Sequence, residues 1–373
     1  MIRIGITGQN GFIGYHLFQT LALKSEKYQL VPFEKSFFED DRKLCAFVSG
    51  CDVIVHLAAM NRHNDPTLIY QTNIALVKKL ISALEATQSK PHVVFSSSSQ
   101  EERDNPYGKS KKEGREEFEK WAMANEARFT GLIIPNVFGP FGHPYYNSVV
   151  ATFCHQLSHN ETPKIDVDAE MKLIYVAELV HVIVDAIDEK KSGTGQKIVP
   201  HTSIIKVSAL LEIISGFRDN YLTKGVFPDL NSVFEKNLFN TFLTYIDHKT
   251  FFPFYLLKNT DARGSFVETV KLNSGGQVSF STTVPGVTRG NHFHTRKAER
   301  FAVIKGKAII ELRKIGTEEV LSFELDGDRP SFVDMPVWFT HNIKNVGTEE
   351  LYTIFWINEF YDPADPDTYF VTV

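Results

Sequence analysis

Near residue 255 the texture of the chain changes, and the change restricts the fold more than any other feature. Up to about residue 190, short apolar runs alternate with helical patterns. Residues 2–7, 29–33, 53–57, 92–96 and 130–134 read as strands, and 12–24, 73–87 and 107–125 as helices between them. Alternating β and α predicts a parallel sheet with helices on both faces. Beyond 255 the segments 276–284, 302–304, 307–313 and 351–357 are β-rich. Turn signals separate them at Ser274-Gly275-Gly276, Pro285-Gly286, Lys305-Gly306 and Asp326-Gly327. That pattern predicts an antiparallel barrel or jelly roll. The expected class is therefore an α/β Rossmann domain followed by an all-β barrel. Residues 220–254 carry Phe227, Phe234, Phe239, Phe242, Phe251, Phe252 and Phe254, too apolar for a flexible linker. They read as an irregular, docked connector, with a boundary near Asp247 and domains spanning 1–247 and 248–373.

A chain of 373 residues has room for two such cores. Its 43% hydrophobic and 23% charged residues are those of a soluble globular protein. The net charge of −5 argues against nucleic acid as a partner, since phosphate binding needs a basic face. Cys45, Cys51 and Cys154 form no CxxC pair and fit a reducing compartment. No apolar run reaches the ~18–20 residues of a membrane span. The first residues read as a strand rather than a secretory signal. A cytoplasmic protein without a membrane partner is expected.

Gly8, Gly11 and Gly14 form GxxGxxG between the first strand and the first helix, enclosing Phe12 and Ile13. Glycines permit the tight turn and close backbone approach, and the helix N-terminus offers N–H groups and a positive dipole end to a pyrophosphate. The third strand ends in Leu57-Ala58-Ala59, small enough to pass under an adenine or ribose. Beyond the second strand lie Glu34 and Lys35; a carboxylate there suits the ribose hydroxyls of NAD, a cation the extra phosphate of NADP. Tyr107 and Lys111 are spaced i,i+4 on one helix face. An ammonium beside a phenol is expected to lower its pKa, suiting it to donate a proton to a carbonyl under reduction.

Together these features resemble the extended short-chain dehydrogenase/reductase superfamily of nucleotide-sugar epimerases, dehydratases and reductases. The resemblance implies a serine after the fourth strand that bonds the substrate oxygen. In the run Ser96-Ser97-Ser98-Ser99 this is Ser98, with Ser97 as the alternative. Pro135-Asn136-Val137-Phe138-Gly139-Pro140 resembles the superfamily's NVYGP segment, which makes Asn136 a candidate near the nicotinamide or substrate. Ser98 and Tyr107 lie unusually close in sequence, so the intervening loop is trimmed.

His292 and His294 alternate with period 2 on a predicted strand and so share a face. With Glu299 and His341 they offer a set suited to Zn²⁺, Fe²⁺, Mn²⁺ or Ni²⁺. The spacing resembles the two cupin motifs, except that Trp338 stands where the second motif usually has glycine. The stretches 261–268 and Arg289-Gly290-Asn291-His292 resemble dTDP-sugar 3,5-epimerases, which use a histidine base without metal; His292 is thus ligand or base. As a whole, the chain resembles the bifunctional capsular-polysaccharide and O-antigen enzymes that fuse such a reductase to a metal-binding cupin. The match runs through Asn105-Pro106-Tyr107-Gly108, residues 147–153, Gly290-Asn291-His292 and residues 366–370. This resemblance implies a UDP-linked 4-keto-6-deoxy amino sugar as substrate, in the UDP-N-acetyl-L-fucosamine pathway. The cupin would epimerise C3 of UDP-2-acetamido-2,6-dideoxy-β-L-arabino-4-hexulose, and the reductase would reduce C4 to UDP-2-acetamido-2,6-dideoxy-β-L-talose. NADPH through Lys35 is expected, NADH being the alternative, with one divalent ion, zinc, and a homodimer. Two other readings are a dTDP-linked 4-keto-6-deoxysugar reductase/epimerase and a reductase whose cupin is a non-catalytic sugar-binding or dimerisation module.

Overall fold

The computed structural model describes residues 1–189 and 193–373. Its contacts define two compact units, Met1–Val149 with Ala169–Lys206, and Val150–Asp168 with Val207–Val373.

In the first unit, the strands β1 (Ile2–Thr7), β2 (Tyr28–Val31), β3 (Val53–His56), β4 (His92–Ser98), β5 (Phe129–Ile134) and β8 (Thr194–Ile198) form one sheet. Their order is β2-β1-β3-β4-β5-β8, and every pair is parallel. Three short strands, β6 (Asn136–Phe138), β7 (Glu170–Tyr175) and β9 (Ser203–Lys206), make a separate small sheet. The central strands are apolar on both faces because both faces are covered. On one side Ile4, Ile6, Val55, Val94 and Leu132 pack with Leu17 of α1 (Phe12–Ala22) and Leu179 and Ile183 of α6 (Val176–Asp188). On the other, Ile54, Val93 and Phe95 pack with Phe47 of α2 (Asp41–Ser49), Leu80 of α3 (Pro66–Thr87) and Phe118 of α4 (Pro106–Asn125). Asp65 and Asn105 cap α3 and α4, each followed by a proline in the first turn. Strand order reverses at β1, so the crevice for a ligand opens beyond the carboxyl ends of β1 and β3.

In the second unit two five-stranded antiparallel sheets enclose a common interior. One runs Phe254–Tyr255, Ser331–Met335, Glu299–Lys305, Leu351–Ile357, Gln277–Thr283; the other runs Val320–Asp326, Lys307–Lys314, Phe339–Asn345, Thr288–Phe293, Tyr369–Phe370. The aromatic connector is not irregular as expected. It contains the helix Val233–Leu243, begun by a capping box in which Ser232 and Glu235 bond each other's backbone N–H. Nor does the division fall at Asp247: the second unit takes in everything from Val207, because the connector packs on the barrel. Phe227 packs 4.2 Å from Trp356, the rings tilted by 43°, and the guanidinium of Arg300 lies 4.5 Å from the Phe227 ring centre and 3.5 Å from that of Phe332. Arg300 forms two 2.8 Å bonds with Asp334, which also accepts from the Tyr221 hydroxyl. A buried ion pair with its remaining bonds satisfied holds connector and barrel in one arrangement.

Candidate functional site

The glycine loop has the geometry its spacing predicted. Gly8 has φ +79°, and a Cβ on it would sit 2.9 Å from the Ala58 nitrogen; a Cβ on Gly14 would sit 2.1 Å from the Gly8 carbonyl oxygen. Only glycine fits either place. Gly11 precedes α1 without any side-chain cap, and the first turn carries no acid. The first-turn N–H groups at Phe12, Ile13 and Gly14 therefore keep their capacity to bind an anion. Gln9 donates to the Phe33 carbonyl at 2.9 Å, tying the loop to the end of β2, where Glu34 and Lys35 are exposed. Leu57 donates from its backbone to Thr7 at 3.1 Å, which sets half-buried Leu57, Ala58 and Ala59 beside the loop.

At the end of β4, Ser98 and Ser97 part company. Ser97 donates to Glu101. Ser98 caps the 3-10 turn Ser99–Glu102 and bonds Tyr107, which opens α4. Lys111, one turn on, is buried; its Nζ donates to the Ser96 carbonyl at 2.8 Å and lies 5.7 Å from the Tyr107 ring centroid. The expected lowering of the phenol by Lys111 does not arise in the protein alone. Burial, reinforced by Tyr146, pushes the phenol up to about 12 against the bond from Ser98. Burial pulls Lys111 down to about 7, opposed by Glu101. A phenol protonated at neutral pH is the form that a proton donor requires. Asn136 is exposed at the start of β6 and donates to the Lys172 carbonyl at 3.4 Å; the structure does not join it to the Ser98–Tyr107–Lys111 bonds.

Sequence reading missed the residues that frame this trio. Buried Asn73 on α3 takes the Met60 N–H at 2.6 Å and donates to Ser110 at 3.0 Å, fixing the segment beyond β3 to α4. Arg62 donates to the carbonyls of Tyr145 and Tyr146 at 2.5 and 3.1 Å. A long-range contact of this kind leaves no periodic signal.

In the β-rich unit, His292, His294, Glu299 and His341 converge, with one ligand atom of each within 4.8 Å of every other. A bulge at Asn291 shifts the register so that His292 pairs with His341. Gly290 beside it has φ +99°, and a Cβ there would meet the His341 carbonyl oxygen at 2.8 Å. Glu299 and Arg300 point to opposite faces, so adjacent charges serve the ligand cluster and the connector. His294 Nδ1 donates to the Asp367 carbonyl at 2.5 Å, and His341 Nδ1 to the Phe339 carbonyl at 3.2 Å. Both rings thus turn an Nε2 lone pair inward. Those two nitrogens and Glu299 Oε2 are buried without a hydrogen-bond partner, although the nitrogens lie 3.2 and 3.0 Å from that oxygen. Three histidines and a carboxylate with orphaned, inward-facing atoms fit a divalent metal ion. Asp367, another missed residue, accepts from the backbones of Thr295, Arg296 and Lys297 and so holds the segment that carries His294. Trp338 adopts φ +64°, the conformation for which glycine is usual; its ring lies 5.6 Å from Phe293, and its N–H bonds the His294 carbonyl at 2.8 Å. Packing holds a non-glycine residue in a conformation that costs about 1–3 kcal/mol.

Residues 4–199 match the NAD dependent epimerase/dehydratase family, and residues 259–369 the polysaccharide biosynthesis C-terminal domain. The chain is 32% identical to the UDP-2-acetamido-2,6-beta-L-arabino-hexul-4-ose reductase of Pseudomonas aeruginosa, over all of this chain and 99% of that one. It is similar to the capsular polysaccharide assembling protein CapF of Staphylococcus aureus, with 33% identity, full coverage of both chains and a TM-score of 0.64. The UDP-glucose 4-epimerase of Thermotoga maritima shares the fold over 58% of this chain and 83% of its own, with 21% identity and a TM-score of 0.52.

Proposed function

The chain belongs to the NAD dependent epimerase/dehydratase family, and from that premise we propose that it is a bifunctional nucleotide-sugar enzyme. The β-rich unit epimerises C3 of UDP-2-acetamido-2,6-dideoxy-β-L-arabino-4-hexulose. The Rossmann unit then reduces C4 to UDP-2-acetamido-2,6-dideoxy-β-L-talose. One observation carries the reading: a relative named for reducing this 4-ketose matches over the whole chain, both units included.

Gly8, Gly11, Phe12, Ile13 and Gly14 hold the pyrophosphate, while Leu57, Ala58 and Ala59 line the adenosine. Lys35 takes the 2′-phosphate, which makes NADPH the cofactor. The bound nicotinamide supplies a hydride to C4. Tyr107 gives its phenolic proton to the C4 oxygen as charge develops there, so carbonyl becomes alcohol and tyrosine becomes tyrosinate. Ser98 bonds the same oxygen, and cationic Lys111 stabilises the tyrosinate before it regains a proton. Asn136 orients the substrate or nicotinamide.

His292, His294, Glu299 and His341 would hold one divalent ion, zinc, which would supply Lewis acidity toward the C4 ketone. The C3 proton is acidic only while C4 is a ketone, because the enolate charge rests on that carbonyl. Epimerisation must therefore come first. Exposed Phe280, Phe360 and Phe370 of the β-rich unit support a homodimer. The three cysteines are free, and no helix among the described residues is long and apolar enough to cross a membrane, which supports a cytoplasmic enzyme.

The test is turnover in heavy water with NADPH. The product should carry solvent deuterium at C3 and the cofactor's hydride at C4. A product with no label at C3 would replace epimerisation with the binding-module reading.

A further inference from the structure

The trimmed connection between Ser98 and Tyr107 is filled by the 3-10 turn Ser99–Glu102, which presses on α4 beside the reacting tyrosine. A Cβ on Gly108 would lie 2.0 Å from the Gln100 carbonyl oxygen, so the turn touches the helix backbone itself. Glu101 projects from this turn toward the base of the site. It accepts from Ser97, and Arg115 of α4 grips it by Nε at 3.0 Å and Nη2 at 3.0 Å. Both side chains of the pair are about one-tenth exposed, at 11% and 10%. The stem of Arg115 occupies space left by Gly131 on β5, where a Cβ would sit 2.7 Å from Arg115 Cδ. A carboxylate buried this far is costly unless its charge is used.

Its neighbour in charge is Lys111. The groups around that ammonium are Ser96 and the Phe95 ring from β4, His56 from β3, Tyr107 from α4, and Glu101 from the turn. Burial drives His56 down to about 3, and Lys111 adds to the effect, so the imidazole is neutral and lends no charge. Glu101 is the carboxylate in the set.

We propose that Glu101 is a positioning residue of the reductase site: it clamps the 3-10 turn against α4 through Arg115 and through Ser97, whose hydroxyl also lies 3.4 Å from the Lys111 carbonyl. The inference rests on the reading of Tyr107 and Lys111 given above. Without the carboxylate, Lys111 loses its proton at lower pH. Activity that needs the ammonium should then be lost earlier as pH rises.

The experiment is the pH profile of C4 reduction, with C3 proton exchange and a cooperative melt as controls. In Glu101→Gln the alkaline limb should move down by about one pH unit, the scale of a nearby charge. Glu101→Asp keeps the charge and should restore the wild-type limb. Arg115→Gln removes the cation that neutralises Glu101, leaving more of its charge to act on Lys111, and should move the limb up, an opposite displacement that a purely structural role would not give. An unmoved limb in Glu101→Gln, or an equal downward shift in all three variants, overturns the proposal. If Glu101→Gln does not melt cooperatively, Arg115→Gln decides: a limb that stays or falls overturns it. Activity in Tyr107→Phe would instead sink the underlying assignment, whatever Glu101 does.

Discussion

In the Rossmann unit the proposed reacting groups sit at or just beyond strand ends, on a loop, a 3-10 turn and a helix start. In the β-rich unit they sit in or against the strands. The first arrangement satisfies its own polar atoms: Lys111 bonds the Ser96 carbonyl, and Ser98 accepts from the Gln100 N–H. The second leaves His294 Nε2, His341 Nε2 and Glu299 Oε2 buried and unbonded. One site is tuned by burial and neighbouring charge, beside a helix start whose backbone N–H groups carry no side-chain cap. The other concentrates lone pairs where only a cation can satisfy them. Damage to the first should alter rates and leave its surroundings intact, whereas damage to the second should alter composition.

The largest expected effect is in Tyr107→Phe, which keeps the ring and loses the proton. C4 reduction should fall ~10²–10⁴-fold, the usual worth of a general acid. C3 exchange, followed by NMR in heavy water without NADPH, should continue at the wild-type rate. Loss of both activities would show that the two sites are coupled.

His341→Ala is the converse. Elemental analysis should fall from about one divalent ion per chain to none, because the ligand set is then incomplete. C3 exchange should cease, while reduction of a substrate already epimerised at C3 should persist. A wild type that is fully active without metal would return His292 to the role of base.

The smallest effect belongs to Lys35→Ala. Losing one exposed charge-assisted contact of about 1.5 kcal/mol should weaken NADPH binding roughly tenfold. NADH binding, measured by the same fluorescence titration, should not change. Equal weakening of both would move the phosphate contact elsewhere.

Local patterns carried much of this architecture. The spacing of Gly8, Gly11 and Gly14, the i,i+4 pair Tyr107 and Lys111, and the alternation of His292 and His294 each depend on backbone geometry over a few residues. Such geometry can be read from the chain alone. The Ser232–Glu235 capping box was equally legible, and it marks the helix that the phenylalanine-rich stretch conceals. Packing between distant segments decided the rest. It gave Ser97 to Glu101 and Ser98 to Tyr107, although the two serines are neighbours of one type. It buried Lys111, turned His294 with a carbonyl from the C-terminal segment, and held Trp338 in a left-handed turn. It also bound the connector to the barrel through Arg300 and Asp334. Burial and the choice of hydrogen-bond partner depend on which segments meet, and residues tens of positions apart leave no periodicity that would announce the meeting.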